Sequence, residues 1–376
     1  MKISIFGWGK MGKELLDVFL ESDAQLAWIG RNPKAEQEAR RYAEKRLKRI
    51  KKTKGWTEEK KQQRLNEILV SADRKDAEGS DFVIETITED LSAKQELFQS
   101  LEDYVDPECI LLTNTSSIPL ERIFEKAKQP QRCAGLHAFY PGSLIRTVEI
   151  NYSDSVSRQC LRKIKELVEQ SGRNYVLLPE PFNLLFSKLI FVLMNEAFRI
   201  YECCSLSTEA IDSILKENFM MLGIFEILNT TGNLIVYNCV KYFEEEENEA
   251  FYHGFKSAVA DIHENYGDCT FEQYCRDTGR QKSERGSAAE HKEILERFEA
   301  LYVNYMTQIF QDDRLDIRQT LDACRDILGI ARNPEEILRE MGEERIKEIL
   351  SRNYEALPCS FYRAGDYRIW NRRKIN

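Results

Sequence analysis

Phe6-Gly7-Trp8-Gly9-Lys10-Met11-Gly12 closes a short apolar run at 3–6 and opens an amphipathic segment, so three glycines stand at a strand-to-helix junction. In a G-x-G-x-x-G turn of this kind the first glycine allows the tight turn, the second lets a pyrophosphate approach the backbone, and the third lets helix pack on strand. The amides that begin the helix then face the phosphates. Gly7, Trp8, Gly9, Lys10, Met11 and Gly12 are therefore candidate cofactor-binding positions, with nicotinamide and flavin dinucleotides both open at this point.

Further short apolar runs follow at 26–29, 82–87, 109–113, 133–136 and 175–178, separated mostly by amphipathic stretches of helical length. Continuous apolarity in such runs suits parallel strands covered on both faces, and the alternation predicts an α/β, doubly wound domain over 1–180. One insertion breaks the rhythm at 34–70. Ala39, Ala43, Leu47 and Ile50 share one helical face, and Leu65, Ile68 and Leu69 share another, with Lys54-Gly55-Trp56-Thr57 as the turn and Thr57 as an N-cap. Residues 34–64 hold 13 Lys/Arg and five Glu, a net of +8, so the rest of the chain sums to −17. That hairpin is either a solvated surface or a site for an anionic ligand. From 181 to 376 the strand signal fades and an all-helical domain is expected, beginning with a pattern through Leu189, Leu193, Glu196, Ala197 and Ile200 that continues to Phe225, Leu228 and Leu234. The runs 244–249 and 281–291 read as further helices with solvated charged faces.

The chain of 376 residues has 42% hydrophobic and 10% aromatic content and nine prolines, which excludes a disordered or collagenous protein. Its 54 basic against 63 acidic residues give −9, so neither nucleic acid nor an anionic membrane is expected as a partner. The longest apolar stretch, 184–194, is too short for a bilayer span of about 20 residues. The chain opens directly on a strand with no secretion signal, and a cytoplasmic protein is expected. Ten cysteines without a Cys-x-x-Cys pair signal neither a metal site nor a disulfide framework, and they read as reduced core thiols.

At the end of the second apolar run a carboxylate for the ribose 2′-hydroxyl is the usual feature, but the sequence there is Ile29-Gly30-Arg31-Asn32. The glycine leaves room and Arg31, with Asn32 beside it, offers a forked cation for a 2′-phosphate, so NADP is favoured over NAD. Of four histidines, His253, His263 and His291 fall in the polar rear portion and only His137 ends an apolar run. An imidazole at the C-terminal end of a strand can exchange a proton with a substrate hydroxyl, and Glu149, on a strand expected at 144–150, can receive its other ring N–H.

His137-Ala138-Phe139-Tyr140-Pro141 followed by Thr147-Val148-Glu149 resembles the catalytic segments of the L-3-hydroxyacyl-CoA dehydrogenases. Asn114-Thr115-Ser116-Ser117 is similar to that family's Asn-Thr-Ser-Ser turn, with Ser116 lying 21 residues before His137 and Glu149 twelve after it. Glu85-Thr86-Ile87-Thr88-Glu89 with Lys94 resembles the stretch flanking the cofactor ribose and nicotinamide, and Met194-Asn195-Glu196-Ala197 and Phe225-Glu226 resemble marks of the helical domain. The likeness runs from 1 to about 240. It implies hydride exchange between nicotinamide and C3 of an acyl thioester. His137 would move the hydroxyl proton, Glu149 orient it and Ser116 bond the reacting oxygen. Thr86, Glu89, Lys94 and Asn114 would line the cofactor, and the basic hairpin, through Arg46, Lys48 and Lys51, would hold CoA with Tyr140 on the substrate side. A homodimer is the implied assembly.

Two positions depart from the pattern. Tyr140 stands where the family has Asn, and Phe182-Asn183-Leu184-Leu185-Phe186-Ser187-Lys188 replaces Pro-Gly-Phe-x-x-Asn-Arg, so Ser187 takes the catalytic Asn position. Serine can still bond a substrate oxygen but is shorter. A carrier-protein-linked or small free hydroxy acid, and a catalytically decayed nucleotide-binding protein, are the alternative readings. The region beyond about 242 matches no motif and reads as a cover for the cleft or a subunit contact.

Overall fold

The computed structural model describes residues 1–247, 250–267 and 269–373. The chain forms two compact units, Met1–Leu184 and a second from Leu185 onward. In the first, eight strands lie in one sheet in the order β3-β2-β1-β4-β5-β6-β7-β8. They are β1 Lys2–Phe6, β2 Gln25–Ile29, β3 Ile68–Ser71, β4 Phe82–Glu85, β5 Ile110–Thr113, β6 Cys133–His137, β7 Thr147–Tyr152 and β8 Asn174–Pro179. Neighbouring strands are parallel except β6 and β7, which run antiparallel. The sheet is the doubly wound one expected, but it is not parallel throughout: 138–146 is a loop that returns the chain directly beside β6, with no crossover helix.

Helices α1 Lys10–Phe19, α2 Glu36–Lys54, α3 Glu58–Asn66, α4 Leu91–Leu101, the single turn α5 Leu120–Ile123, and α6 Arg158–Gln170 accompany the sheet. Leu15, Leu16 and Phe19 of α1 and Ile164, Leu167 and Val168 of α6 are buried in the same apolar core as Ile3, Ile5 and Ile84 of the central strands. The hairpin forms as its sequence dictates: Thr57 accepts the Lys60 N–H as N-cap of α3, and Gly55 ends α2 at φ 67°. Its last part does not. Ile68 and Leu69 belong to β3, paired in parallel with β2, rather than to a helical face. Three apolar residues and a serine suit a strand or a helix equally by periodicity, and pairing with β2 decides. Leu144, assigned above to a strand, lies in the loop at 74% exposure, and β7 begins at Thr147.

The second unit is helical: α7 Leu185–Cys203, α8 Thr208–Asn218, α9 Ile224–Thr231, α10 Asn233–Glu247, α11 His253–Asp261, α12 Phe271–Asp277, α13 Ala288–Ile309, α14 Ile317–Leu328, α15 Pro334–Met341, α16 Glu343–Ala356 and the turn α17 Ile369–Arg372. Fifteen of the nineteen α7 residues are buried, as expected of a helix apolar on all sides. Glu196 of α7, fully buried, receives Arg297 of α13 at 2.6 and 2.9 Å and the Tyr362 hydroxyl. Asn195 donates to the Phe251 carbonyl at 2.7 Å.

Several expectations change here. The pattern through Leu234 is broken into separate helices, with Leu234 half-exposed. Residues 281–287 precede α13 rather than forming helix. Glu244 is not simply solvated, since Lys256 and His253 pair with it; residues 248 and 249 of that acidic run lie outside the described residues. Seven cysteines are buried, but Cys203 is exposed and Cys204 and Cys269 are partly so. Among the described residues no helix is long and apolar enough to cross a membrane.

Candidate active site

In the sheet order, β1 has β2 on one side and β4 on the other, so the chain direction of winding reverses at β1. Ligands of open α/β sheets bind beyond the carboxyl ends of the strands at such a reversal. Four consecutive carboxyl ends, of β1, β4, β5 and β6, carry the glycine turn, Thr86, Asn114 to Ser117 and His137. Pairing therefore gathers segments more than a hundred residues apart onto one rim.

The glycine turn fits a dinucleotide. Gly7 has φ +116°, and a Cβ there would lie 2.5 Å from the Thr86 hydroxyl; at Gly12 it would lie 1.9 Å from the Gly7 carbonyl oxygen. At Gly9 nothing lies within 4 Å of where a Cβ would stand, and this residue caps α1 with no side-chain acceptor. Gly9 thus leaves the start of α1 open to the close approach that a pyrophosphate requires. Met11 packs against the core, and the Thr86 hydroxyl donates to the Phe6 carbonyl at 2.7 Å.

Trp8 lies over the end of β2: a Cβ at Gly30 would stand 2.3 Å from its ring, and its indole N–H donates to the Trp28 carbonyl at 3.1 Å. The missing carboxylate is thereby explained, because the indole fills the space a side chain at 30 would need. Arg31 is exposed with no ion-pair partner among the described residues, whereas Asn32 caps the turn Pro33–Ala35 by accepting the Lys34 N–H.

Glu85 and Lys94 form a buried pair at 2.7 and 2.9 Å, and Thr113 donates to the same carboxylate at 2.7 Å. Lys94 also reaches Glu89 at 3.2 Å. The other Glu89 oxygen accepts the Thr115 hydroxyl at 2.6 Å and the Ser116 and Ser117 amides at 3.0 and 3.1 Å, which shapes the turn after β5. Burial by itself would raise the Glu89 pKa, but the Lys94 charge and these donors hold it below the usual carboxylate value. Burial would likewise depress Lys94, and the two carboxylates outweigh it and raise the ammonium. Lys94 thus holds Glu89 in place. Glu85, the centre of this cluster, was not among the expected site residues; a lone carboxylate closing an apolar strand nine residues before a lysine is the signal that marks it.

His137 and Glu149 are direct cross-strand neighbours in the antiparallel β6–β7 pair. Nδ1 of His137 lies 2.5 Å from Oε2 of Glu149, both groups are buried, and Phe139 packs against the imidazole at 4.3 Å between ring centroids. The spacing of twelve residues is therefore that of a tight strand return. Asn114 accepts the Ala138 N–H at 2.9 Å, tying the β5 turn to the residue after His137. Ser116 is partly exposed and its hydroxyl bonds no described residue. Ser187 is buried in the first turn of α7, in the second unit.

The basic hairpin divides into two sets. Arg46 is held by Asp17 at 2.8 Å, with the Tyr42 hydroxyl on the same carboxylate, and Lys51 pairs with Glu58 at 2.5 Å. Lys48 is exposed with no partner among the described residues, as are Arg41, Lys45 and Lys52, which follow one another at helical spacing along α2. Tyr140 does not stand free: the Lys10 ammonium lies 3.5 Å above its ring.

A glycine turn at the reversal point of a parallel sheet, with a buried imidazole–carboxylate pair on the same rim, defines a dinucleotide-dependent oxidoreductase. Residues 2–180 match the family described as 3-hydroxyacyl-CoA dehydrogenase, NAD binding domain, and the N-terminal unit belongs to that family. The chain is similar to a probable 3-hydroxybutyryl-CoA dehydrogenase of Bacillus subtilis, 28% identical over 216 residues that cover 57% of this chain and 75% of that protein. A mitochondrial hydroxyacyl-coenzyme A dehydrogenase of Rattus norvegicus is 26% identical over 238 residues, 61% of this chain and 76% of the relative. The structure of 3-hydroxybutyryl-CoA dehydrogenase from Escherichia coli K12 shares the fold, with a TM-score of 0.78 at 17% identity over 99% of this chain and 98% of that one. The helices beyond 242, which match no motif, thus have counterparts in a known fold.

Proposed function

We propose that the protein is an NAD(P)-dependent 3-hydroxyacyl-CoA dehydrogenase. The bound nicotinamide supplies or accepts the hydride at C3 of the acyl thioester. His137, its Nδ1 engaged by Glu149, gives or takes the proton of the C3 oxygen through Nε2. Ser116, whose hydroxyl is free of described partners, bonds that oxygen. Gly7, Gly9, Gly12 and the α1 amides receive the pyrophosphate, while Thr86, Asn114 and Glu89, held by Lys94, line the ribose and nicotinamide end. The single observation that carries the reading is the His137–Glu149 pair on the rim that also bears the glycine turn.

The direct test follows nicotinamide absorbance with acetoacetyl-CoA and with free acetoacetate, using NADH and NADPH in turn. Oxidation with the CoA ester alone supports the proposal; turnover of acetoacetate at equal rate removes CoA from it, and turnover of neither supports a decayed enzyme. We take NADPH to be preferred, because Trp8 occupies the carboxylate position and Arg31 is unpaired. Arg31→Ala should then weaken NADPH binding by about tenfold, the loss of one charge-assisted contact, and leave NADH unchanged. Equal effects on both cofactors would count against a 2′-phosphate site.

For the thioester, the free stripe of α2 is the proposed CoA-phosphate contact. Lys45, Lys48 and Lys52 replaced together by Ala should raise KM for the CoA ester roughly tenfold with kcat little changed. Arg46→Ala should act differently, lowering stability through Asp17, whose carboxyl burial already pushes up despite Arg46 beside it. An unchanged KM in the triple variant would make the stripe a solvated surface. The same reading includes a cytoplasmic homodimer; light scattering of the purified chain checks the dimer.

A further inference from the structure

We propose that Tyr140 is a positioning residue for the dinucleotide, holding the Lys10 ammonium at the start of α1 where it adds a full positive charge to the amides that receive the pyrophosphate. The inference rests on the dinucleotide site described above and gives Tyr140 a task different from the substrate contact expected of it.

Lys10 is the first residue of α1, directly after the uncapped Gly9. No carboxylate among the described residues pairs with it. Glu14, one turn further, accepts the Gly142 N–H at 2.8 Å instead. The Lys10 ammonium lies 3.5 Å from the Tyr140 ring centroid. A neutral aromatic face attracts the cation without cancelling its charge and occupies only one of its three N–H directions. A surface lysine otherwise spreads over many rotamers, so the ring removes in advance part of the entropy that binding a phosphate costs. Tyr140 can do this because its loop is tethered: Glu14 holds Gly142, and Arg173 donates to the carbonyls of Gly142 at 2.7 Å and Ile145 at 2.8 Å. The same short segment starts at His137, so the phosphate end and the proton-transfer end of the rim are set by one stretch of backbone.

The test is equilibrium binding by the full-length chain, read from NADH fluorescence, with ADP and adenosine as competitors. Lys10→Met should weaken NADH and ADP about tenfold at low salt, flatten the salt dependence and leave adenosine unchanged. Tyr140→Leu should cost about threefold, Tyr140→Phe should restore wild-type affinity, and Tyr140→Leu should have no further effect in the Lys10→Met background. Additive effects in the double variant, or equal weakening of adenosine, would overturn the assignment while leaving the dinucleotide site standing. If the unaltered chain bound neither NADH nor NADPH, the cofactor reading and this one would fall together.

Discussion

His137→Ala is expected to lower kcat by roughly 10²–10⁴-fold, the usual contribution of a positioned general acid or base, while dinucleotide and CoA-ester dissociation constants stay within about threefold of the wild type. The residue ends β6 with its ring buried, so little binding surface is lost, but no other histidine lies in the N-terminal unit to replace it. Glu149→Gln should reproduce most of the loss. A carboxylate 2.5 Å from Nδ1 fixes which ring nitrogen carries the proton and balances the imidazolium; an amide of the same shape does neither reliably. Single-turnover kinetics with NADH and acetoacetyl-CoA separate chemistry from binding. Normal turnover in His137→Ala would reduce the pair to a structural one, and a rise in KM without change in kcat would make it a binding group.

The second large effect is on stability. Lys94→Met strands the buried Glu85 carboxylate and takes from Glu89 the cation paired with it, and breaking a buried pair from one side typically costs about 3–5 kcal/mol. Denaturant unfolding followed by tryptophan fluorescence reports mainly this unit, since Trp8, Trp28 and Trp56 lie within it. Adding Glu85→Gln should recover part of the loss, because the uncompensated charge is then gone. The pH dependence has a defined sign. Glu89 is held below its ordinary value of 4.5, so its contribution is present above that pH and disappears as pH falls through the lowered value. Lys94 is raised above 10.5, so its contribution is complete below that pH and disappears as pH rises through the raised value. The advantage of wild type over Lys94→Met should therefore be level across neutral pH and shrink at both extremes. A difference below about 1 kcal/mol at pH 7 would show that the pair is replaceable by packing alone.

Much of the site could be read from local sequence because its parts obey local rules. Three glycines at a strand-to-helix junction need nothing distant to be recognised, and the runs that become β1, β2, β4, β5, β6 and β8 declare themselves by continuous apolar sequence. His137 stood out as the one histidine closing such a run. Thr57 and Gly55 bounded the hairpin through capping chemistry that acts over three or four residues. What failed were short segments whose identity depends on a neighbour. Ile68–Ser71 is a strand because β2 offers it an open edge, and β7 starts at Thr147 because the loop before it turns back antiparallel. The charges of the hairpin look alike in sequence, yet Asp17 and Glu58 claim two of the three expected ligands and leave Lys48 free.

The order of residues by itself determined a nucleotide-binding α/β unit, a helical unit after it, and the residue types available for hydride and proton transfer, because backbone propensity and hydrophobic period act within a few residues. Tertiary structure alone decided that Glu149 faces His137, that Lys94 serves Glu89 through a buried pair, that Trp8 takes the place of the β2 carboxylate, and that Lys10 rests on Tyr140. Each of these is a contact between segments far apart in the chain, and only strand pairing and core packing bring their side chains within reach.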